Sequence, residues 1–177
     1  MKNIILFLLT LTLLSCTVQY YPVKVDDTAR IIDSRGREVD AREFDDIQPF
    51  DGKVFRVYQK NVWLLWQLGV GVISDEYDFI GSLKDSRAIV IKEGKYGYID
   101  RTGQLVIPLL YTYGAPFSEG LALVRNTNGH TGYINVLGRT VIPFQYDEAL
   151  PFNKGAALVT KDNKSLLINK KGDIIWP

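Results

Sequence analysis

Acidic residues occur in three short clusters, and carboxylates at short spacing can catalyse hydrolysis. The clusters are Asp45-Asp46, Asp75-Glu76-Asp78 and Asp147-Glu148. Two carboxyl groups about 5–10 Å apart can cleave a glycosidic bond, one as general acid and the other as base or nucleophile. Such an enzyme needs one unique pair, whereas these clusters recur at similar places around Tyr77 and Tyr146. We therefore expect exposed loop edges, with a carbohydrate-active or other hydrolytic enzyme as the alternative.

The other chemistry-bearing residues do not form a catalytic or metal-binding pattern. His130 is the only histidine, in the turn-like stretch NTNGHTG, and Ser118 is not part of a G-x-S-x-G nucleophile turn. Structural zinc needs several His, Cys or acidic ligands, and the Asp-x-x-Gly stretches lack the successive acidic ligands of a calcium loop. No glycine-rich phosphate loop precedes a helix. The sequence therefore predicts no catalytic residues, no bound metal and no cofactor.

Cys16 is the only cysteine, and its surroundings indicate a different role. The chain begins MKNIILFLLTLTLLSC, with a positive charge at Lys2 and an apolar segment from Ile4 to Leu14. That segment is shorter than the roughly 20 residues of a membrane-spanning helix and is typical of a secretory signal. Its end, Leu-Leu-Ser-Cys, resembles the bacterial lipobox. The resemblance implies that residues 1–15 are a lipoprotein signal peptide and that Cys16 carries the lipid, including palmitate.

A lipid on Cys16 would hold the protein at a bacterial membrane, because two or more acyl chains anchor a protein stably. Thr17, rather than Asp, follows the cysteine, which by resemblance to enterobacterial sorting rules indicates the outer membrane. Residues 16–28 are then predicted to be a lipidated tether in front of a domain at 29–177. An ordinary signal peptide with a chance cysteine, or an uncleaved anchor, is the alternative.

The charge balance excludes one class of partner. Loss of residues 1–15 removes Lys2 from the 21 basic residues, so the remaining chain has as many basic as acidic residues, of which there are 20. A neutral chain without a basic stripe does not follow phosphate backbones. We expect no nucleic-acid partner.

Glycines mark a repeat that runs through the chain. Residues 97–108 read GYIDRTGQLVIP, and a shift of 35 residues gives GYINVLGRTVIP at 132–143. Fainter copies extend the pattern on both sides, with glycines at spacings of 33 to 35 residues: Gly36, Gly69, Gly103, Gly138 and Gly172. Similarity at a fixed period is typical of arrays in which each unit packs on its neighbours.

Each unit is predicted to be a three-stranded antiparallel meander. Two β-rich runs flank Asp-x-x-Gly or Asn-x-x-Gly, in which the acidic or amide side chain accepts backbone N–H bonds and the glycine takes a positive φ. One hairpin at about 30–40 and four meanders near 54–73, 88–108, 121–143 and 156–177 are expected. Pro108 and Pro143 are expected to end their strands. The stretches between units, such as LLYTYGAPFSEG, are predicted to be loops.

The pattern K-Y-G-Y-I-D-x-x-G-x-x-V-I-P-x-x-Y…F-x-x-G-x-A-x-V resembles the WG-containing repeat family of bacterial proteins, over about residues 29–177. The Trp-Gly dipeptide of that family is replaced by Tyr96-Gly97, by Thr131-Gly132 and, in the second unit, by Val62-Trp63. The resemblance implies a β-repeat protein that mediates interactions. The predicted fold is all-β, with meander repeats of about 34 residues in an open solenoid-like array. A closed propeller-like ring is the alternative.

The second unit departs most from the repeat pattern. Its stretch KNVWLLWQLGVGVI places Trp63 and Trp66 where other units have glycine and Asp or Asn. At a turn position Trp66 would be partly exposed, and exposed aromatic residues in an irregular unit are typical of binding faces. Trp63 and Trp66 are therefore the predicted binding residues. Alternatively, both rings cover a neighbouring unit.

These features predict a lipid-anchored, non-enzymatic protein of the bacterial cell envelope. It would bind a protein or an envelope glycan through its β-repeat surface, with the acid-based hydrolase as the rival and a purely structural envelope role as a third possibility. The two main alternatives differ in geometry. An enzyme needs an acidic pair that converges in one pocket, whereas a binding module spreads equivalent acids along an edge.

Overall fold

The computed structural model describes residues 18–177, and its nineteen strands form five antiparallel sheets. The first sheet contains β1 to β3, at Tyr20–Val25, Thr28–Asp33 and Glu38–Phe44. The second contains β4 to β7, at Asp46–Asp51, Val54–Gln59, Val62–Gln67 and Gly71–Val72. The third contains β8 to β11, at Phe79–Ile80, Ala88–Lys92, Lys95–Ile99 and Leu105–Tyr111. The fourth contains β12 to β15, at Tyr113–Gly114, Leu121–Arg125, Thr131–Asn135 and Thr140–Tyr146. The fifth contains β16 to β19, at Glu148–Ala149, Ala156–Lys161, Lys164–Asn169 and Ile174–Trp176.

The sheets confirm the all-β repeat fold and add one strand to each of the four predicted meanders. Strands follow one another in chain order within every sheet. The added strand comes from a stretch predicted to be a loop: Tyr113-Gly114 pairs with Arg125 and Val124 of β13. The loop prediction is wrong at this point, because backbone groups beside a buried strand need hydrogen-bond partners. Residues 18–177 contain no helix that is long and apolar enough to cross a membrane.

The predicted tether contains a strand. Residues Tyr20–Val25 form β1 and pair with β2 without interruption, from Tyr20 opposite Asp33 to Val25 opposite Thr28. The linker interpretation of residues 16–28 is therefore wrong for this segment. Its alternating Tyr21, Val23 and Val25 suit a strand, and they complete the first sheet.

The Asp-x-x-Gly turns have the predicted geometry. Oδ1 of Asp100 accepts the backbone N–H groups of Thr102 at 2.8 Å and Gln104 at 3.2 Å, while Gly103 has a φ of 85°. Three further side chains accept the same two bonds in their own turns, namely Asp33, Asn135 and Asn169. The recurring Asp or Asn is thus a structural acceptor in each hairpin.

A backbone bulge explains the repeated glycine at Gly97 and Gly132. The pairing of β10 with β11 shifts register on both sides of Tyr98. A Cβ atom on Gly97 would lie 2.7 Å from a backbone carbonyl oxygen of β11, and one on Gly132 would meet β15 at the same distance.

The strands continue through Pro108 and Pro143 beside this bulge, because proline is tolerated on edge strands and at bulges. The prediction that these prolines end their strands is wrong.

The hydrophobic core lies between consecutive sheets. Neighbouring side chains of a strand point to opposite faces, so Ile134 of β14 faces the third sheet and Tyr133 faces the fifth. Between the third and fourth sheets, the buried residues are Ile89, Tyr98, Ile107, Phe117, Ala122, Val124 and Ile134. Between the fourth and fifth, they include Leu123, Tyr133, Ile142, Phe152, Ala157, Val159 and Ile168. The first three sheets are packed together in the same manner.

Tyrosine hydroxyls connect each of two sheets to the next. Tyr98 donates its hydroxyl hydrogen to the backbone carbonyl of Ala115 at 2.8 Å, and Tyr133 donates to that of Leu150 at 2.7 Å. Burial raises the pKa of both hydroxyls well above the usual tyrosine range, so both remain donors. Each accepting carbonyl lies directly after the short first strand of the following sheet.

Carboxylates form a second set of connections between sheets. Asp85 accepts the backbone N–H of Gly120 at 2.7 Å, and Glu119 accepts that of Gly155 at 3.0 Å. The two acids occupy equivalent turns, one repeat apart. Consecutive sheets are therefore held by apolar packing and by directed hydrogen bonds.

Candidate binding face

Trp66 is a core residue. It lies in β6, and only 6% of its surface is exposed. Its ring meets Phe44 edge-on with centroids 5.5 Å apart, and the guanidinium of Arg42 lies 4.0 Å from the ring centroid. The prediction that Trp66 is partly exposed is wrong. The ring instead covers the first sheet, as the alternative interpretation proposed.

Trp63 also packs within the array. Its backbone N–H and C=O bond those of Tyr77, just as Tyr96 pairs with Tyr111 in the third sheet. Trp63 therefore corresponds to Tyr96, which is the position of tryptophan in the Trp-Gly dipeptide. Its half-buried ring lies 5.2 Å from that of Tyr58 and packs against the cluster between the second and third sheets.

A one-residue difference in register caused the wrong prediction for Trp66. The glycine spacing aligns Trp66 with Asp100 of the turn, whereas the strand pairing aligns it with Ile99, a buried strand residue. A shift of one residue moves every side chain of a strand to the opposite face. The cross-strand partner of Trp63, Tyr77, was the sequence signal that could have placed both tryptophans.

The acidic clusters support turns in the neighbouring hairpins. Asp78 accepts the backbone N–H of Glu93 at 2.7 Å, and Asp147 accepts that of Asp162 at 3.0 Å, in equivalent positions two repeats apart. Asp46 accepts the backbone N–H of its neighbour Ile47 at 2.9 Å. These bonds agree with acids spread along an edge. Within residues 18–177, no three His, Cys, Asp or Glu side chains are grouped in a way that could hold a metal ion.

The remaining candidates are placed as follows. His130 is exposed, and its backbone N–H donates to Oδ1 of Asn126 at 3.0 Å. The Ser118 hydroxyl donates to the backbone carbonyl of Phe152 at 2.8 Å, which again joins two repeats. Cys16 and the rest of the lipobox lie outside the described residues.

The outer face of the fifth sheet is apolar and exposed. Leu158 lies opposite Leu167, and Leu167 lies opposite Trp176, across β17, β18 and β19. We call these three residues the end row. Leu158 is 42% exposed and Trp176 is 60% exposed. Three further exposed apolar residues belong to the same sheet or lead into it: Leu150, Ile174 and Ile175.

The rows that correspond to the end row are buried in the preceding sheets. They are Ile89, Tyr98 and Ile107 in the third sheet, and Leu123, Tyr133 and Ile142 in the fourth. None of these residues is more than 5% exposed. The next sheet covers each row with small and β-branched residues, such as Ala122, Val124 and Ile134. The end row therefore has the composition of an inter-sheet interface, without a covering sheet in the described chain.

The outer face of the first sheet is different. Arg30 lies there between Glu38 and Glu43, and it forms ion pairs with both. Arg30 corresponds to Gly97, because Ala29 pairs with Phe44 as Tyr96 pairs with Tyr111. Charged residues on a terminal repeat limit further stacking. The same face also carries two exposed apolar residues of β1, Tyr21 and Val25, so it is mixed in character, whereas the end row is apolar.

Sequence similarity identifies the repeat, and each matched segment runs from one sheet into the next. The family described as WG containing repeat matches residues 31–63, 72–96, 96–129 and 132–164. The chain belongs to the WG containing repeat family. In this WG repeat protein the tryptophan position of the dipeptide is occupied by Trp63 in the second sheet, Tyr96 in the third and Thr131 in the fourth.

Several solved structures are similar to this WG repeat protein. BamB from Moraxella catarrhalis is 12% identical, with a TM-score of 0.47 over 90% of this chain and 57% of that one. Hsv2 from Kluyvelomyces marxianus is 11% identical, with a TM-score of 0.49 over 89% of this chain and 64% of that one. The computationally designed Ika8 protein is 13% identical, with a TM-score of 0.45 over 85% of this chain and 55% of that one. The chain thus spans less than two thirds of each, and no curated protein matches its sequence.

Proposed function

We propose that this WG repeat protein is a lipid-anchored, non-enzymatic interaction module of the bacterial cell envelope, held at the outer membrane through Cys16. The observation that carries the binding role is the exposed end row. Two other inter-sheet faces of the same composition are covered by a following sheet. The fifth sheet offers this surface to a partner from outside the described chain.

The preferred partner is a protein with a sheet of small and β-branched residues, because such residues cover the corresponding rows inside the array. Covering a side chain that is about half exposed contributes roughly 1 kcal/mol or more. The fifth sheet also carries more basic than acidic residues, with Lys154, Lys161, Lys164, Lys170 and Lys171 against Glu148, Asp162 and Asp173. The partner surface is therefore expected to be apolar at its centre and acidic at its rim.

The proposal that the protein is not an enzyme is supported by the placement of its acids. Asp78 and Asp147 each accept a backbone N–H from a neighbouring turn. These equivalent roles differ from the two convergent carboxylates that glycoside hydrolysis requires. Hydrolysis of an envelope glycan by the purified protein, lost in Glu148→Gln, would contradict the proposal.

The anchor is tested by Cys16→Ser. The unchanged protein should be recovered with membranes and labelled by radioactive palmitate, while Cys16→Ser should lose the label. Recovery of label in the variant would rule out lipidation at Cys16. Fractionation of the unchanged protein between inner and outer membranes then tests the location separately.

The end row is tested by Leu158→Lys, which places a charge in the middle of the exposed face without changing a buried residue. Leu137→Lys is the matched control, because Leu137 is 63% exposed and lies in the β14–β15 turn. Cross-linking in intact cells should join the unchanged protein and the control to the same partner. Leu158→Lys should lose that product. An identical cross-linking pattern for all three would refute the end row as the binding face.

A further inference from the structure

A ring fills the same position at two successive sheet interfaces. This position lies near the start of the third strand of each sheet. Its residue is paired with a tyrosine at the end of the fourth strand or just after it. Trp63 occupies it in the second sheet and Tyr96 in the third, where they pair with Tyr77 and Tyr111. The Tyr96 ring lies 5.6 Å from that of Tyr113 in the fourth sheet. The ring thus occupies the space between the edges of consecutive sheets.

Thr131 occupies this position in the fourth sheet, where it pairs with Tyr146. Threonine has no ring, and a pocket of about 230 Å³ opens at this place. The pocket is lined by Tyr113, Leu123, Arg125, Thr131, Glu148 and Ala149. We call it the Thr131 pocket. Its position corresponds to that of the Tyr96 ring one interface earlier.

Two further replacements make the Thr131 pocket polar. Arg125 stands where the third sheet has Ile91, because both pair with the residue at the ring position. Glu148 stands where the fourth sheet has Tyr113, as the first residue of the short first strand. The space that holds a tyrosine ring at one interface is therefore bordered at the next by a cation and a carboxylate.

Among the described residues, the guanidinium of Arg125 has only long contacts. Its Nε lies 3.4 Å from Oγ1 of Thr131, and its Nη2 lies 3.4 Å from the backbone oxygen of Asp147. Hydrogen bonds from N–H to oxygen have a usual length of 2.9–3.0 Å. Most of the donor capacity of Arg125 is thus available to a ligand in the pocket.

We propose that the Thr131 pocket binds a single pyranose ring of a glycan. A pyranose is similar in size to a phenol ring and carries hydroxyl groups that both donate and accept hydrogen bonds. Its hydroxyl oxygens can accept from Arg125, its hydroxyl hydrogens can be donated to Glu148, and its apolar face can lie against Tyr113. The pocket is smaller than the roughly 300–1,000 Å³ that hold drug-sized ligands, which restricts it to one ring.

The pocket binds without cleaving. Glu148 is the only carboxylate among its six lining residues, whereas hydrolysis of a glycoside needs two carboxyl groups on opposite sides of the bond. The site is also separate from the end row, because it lies between the fourth and fifth sheets. It therefore goes beyond the protein partner proposed above.

The experiment is saturation-transfer NMR on the full chain in a zwitterionic detergent without a sugar head group. The probes are the methyl glycosides of glucose, galactose and N-acetylglucosamine, together with p-cresol as a ring without sugar hydroxyls. At least one glycoside should show saturation transfer that levels off as its concentration is raised. Transfer to p-cresol alone would show a site for an aromatic side chain, and transfer to none of the probes would also overturn the proposal.

Two variants locate the binding. Thr131→Tyr should fill the pocket as Tyr96 fills the preceding one, abolish glycoside binding and preserve the β-sheet circular dichroism spectrum. Arg125→Met keeps an unbranched apolar stem but removes the guanidinium, and it should weaken binding at least tenfold. Arg139→Met, at an exposed arginine of the β14–β15 turn, is the matched control. Binding unchanged in Arg125→Met would overturn the proposal even if Thr131→Tyr does not fold. Leu158→Lys should bind the glycoside normally, so a failure of the end-row proposal can be distinguished from a failure of the glycan proposal.

Discussion

Replacement of Trp66 by alanine should destabilise the first two sheets strongly. The ring is 94% removed from solvent, since its exposure is 6%, and it packs against Phe44 and under Arg42. Buried Trp→Ala changes cost about 3–5 kcal/mol, and loss of the cation–π contact adds about 0.5–1 kcal/mol. Each kcal/mol lowers the melting temperature of a domain of this size by about 2–4 °C. We therefore expect a decrease of roughly 7–24 °C in the melting temperature of the segment that Trp66 supports.

The assay is thermal and urea unfolding followed by far-ultraviolet circular dichroism, which does not depend on tryptophan as a probe. Trp176→Ala is the control, because that ring is 60% exposed and should change the free energy of unfolding by about 0.5–1 kcal/mol. Contacts in a repeat array join neighbours only, so part of the chain can unfold first. Equal unfolding midpoints for Trp66→Ala and Trp176→Ala would refute the assignment of Trp66 to the core.

Three further changes test the contacts that hold the repeats. Gly132→Ala places a Cβ 2.7 Å from the carbonyl oxygen of Ile142, so we expect a loss of about 1–3 kcal/mol in urea unfolding; an unchanged midpoint would exclude the close approach. Tyr133→Phe removes the 2.7 Å bond to the backbone carbonyl of Leu150 and should cost about 1–2 kcal/mol, detected as faster hydrogen exchange in the fifth sheet. The backbone N–H of Arg37, followed by the Arg37 side chain, holds the pKa of Asp33 below its usual 3.8 against the opposing effect of burial. Its stabilisation is therefore fully present above pH 3.8 and is lost as the pH falls through the lower folded-state pKa. Asp33→Asn should remove the pH dependence of the free energy of unfolding in this range. Acid-unfolding curves identical to those of the unchanged protein would contradict the lowered pKa of Asp33.

The repeat period predicted the sheets because each unit must bury a face that only its neighbour can cover. The Asp-x-x-Gly signal also predicted the turns, since its bonds are local: Oδ1 of Asp100 reaches backbone groups two and four residues away. The short first strands could not be read from the sequence. Two residues such as Tyr113-Gly114 show no periodicity, and only the position of β13 gives them a partner.

Locating the candidate sites requires the register of the strands, which the glycine spacing does not define. Trp66 was misplaced by one residue, and that shift changed a buried ring into an exposed one. The end row and the Thr131 pocket were missed for a related reason. Leu158 and Thr131 look ordinary as single residues, and they become informative only when compared with Leu123 and Tyr96 at the corresponding cross-strand positions.

The four hydrogen bonds that tyrosine hydroxyls and carboxylates form between sheets have the same direction. Each tyrosine hydroxyl or carboxylate belongs to the earlier sheet, and each backbone group that it binds belongs to the later part of the chain. During synthesis from the amino end, the hydroxyl and carboxylate of a completed sheet would therefore lack their backbone partners until the following residues leave the ribosome. Folding should advance in one direction, with each new sheet closing the one before it. Lys154 stands where Asp85 and Glu119 stand in the earlier turns, and an ammonium group cannot accept an N–H bond. A docking surface that presents an acceptor to Lys154 would reverse the direction of the Asp85 and Glu119 bonds.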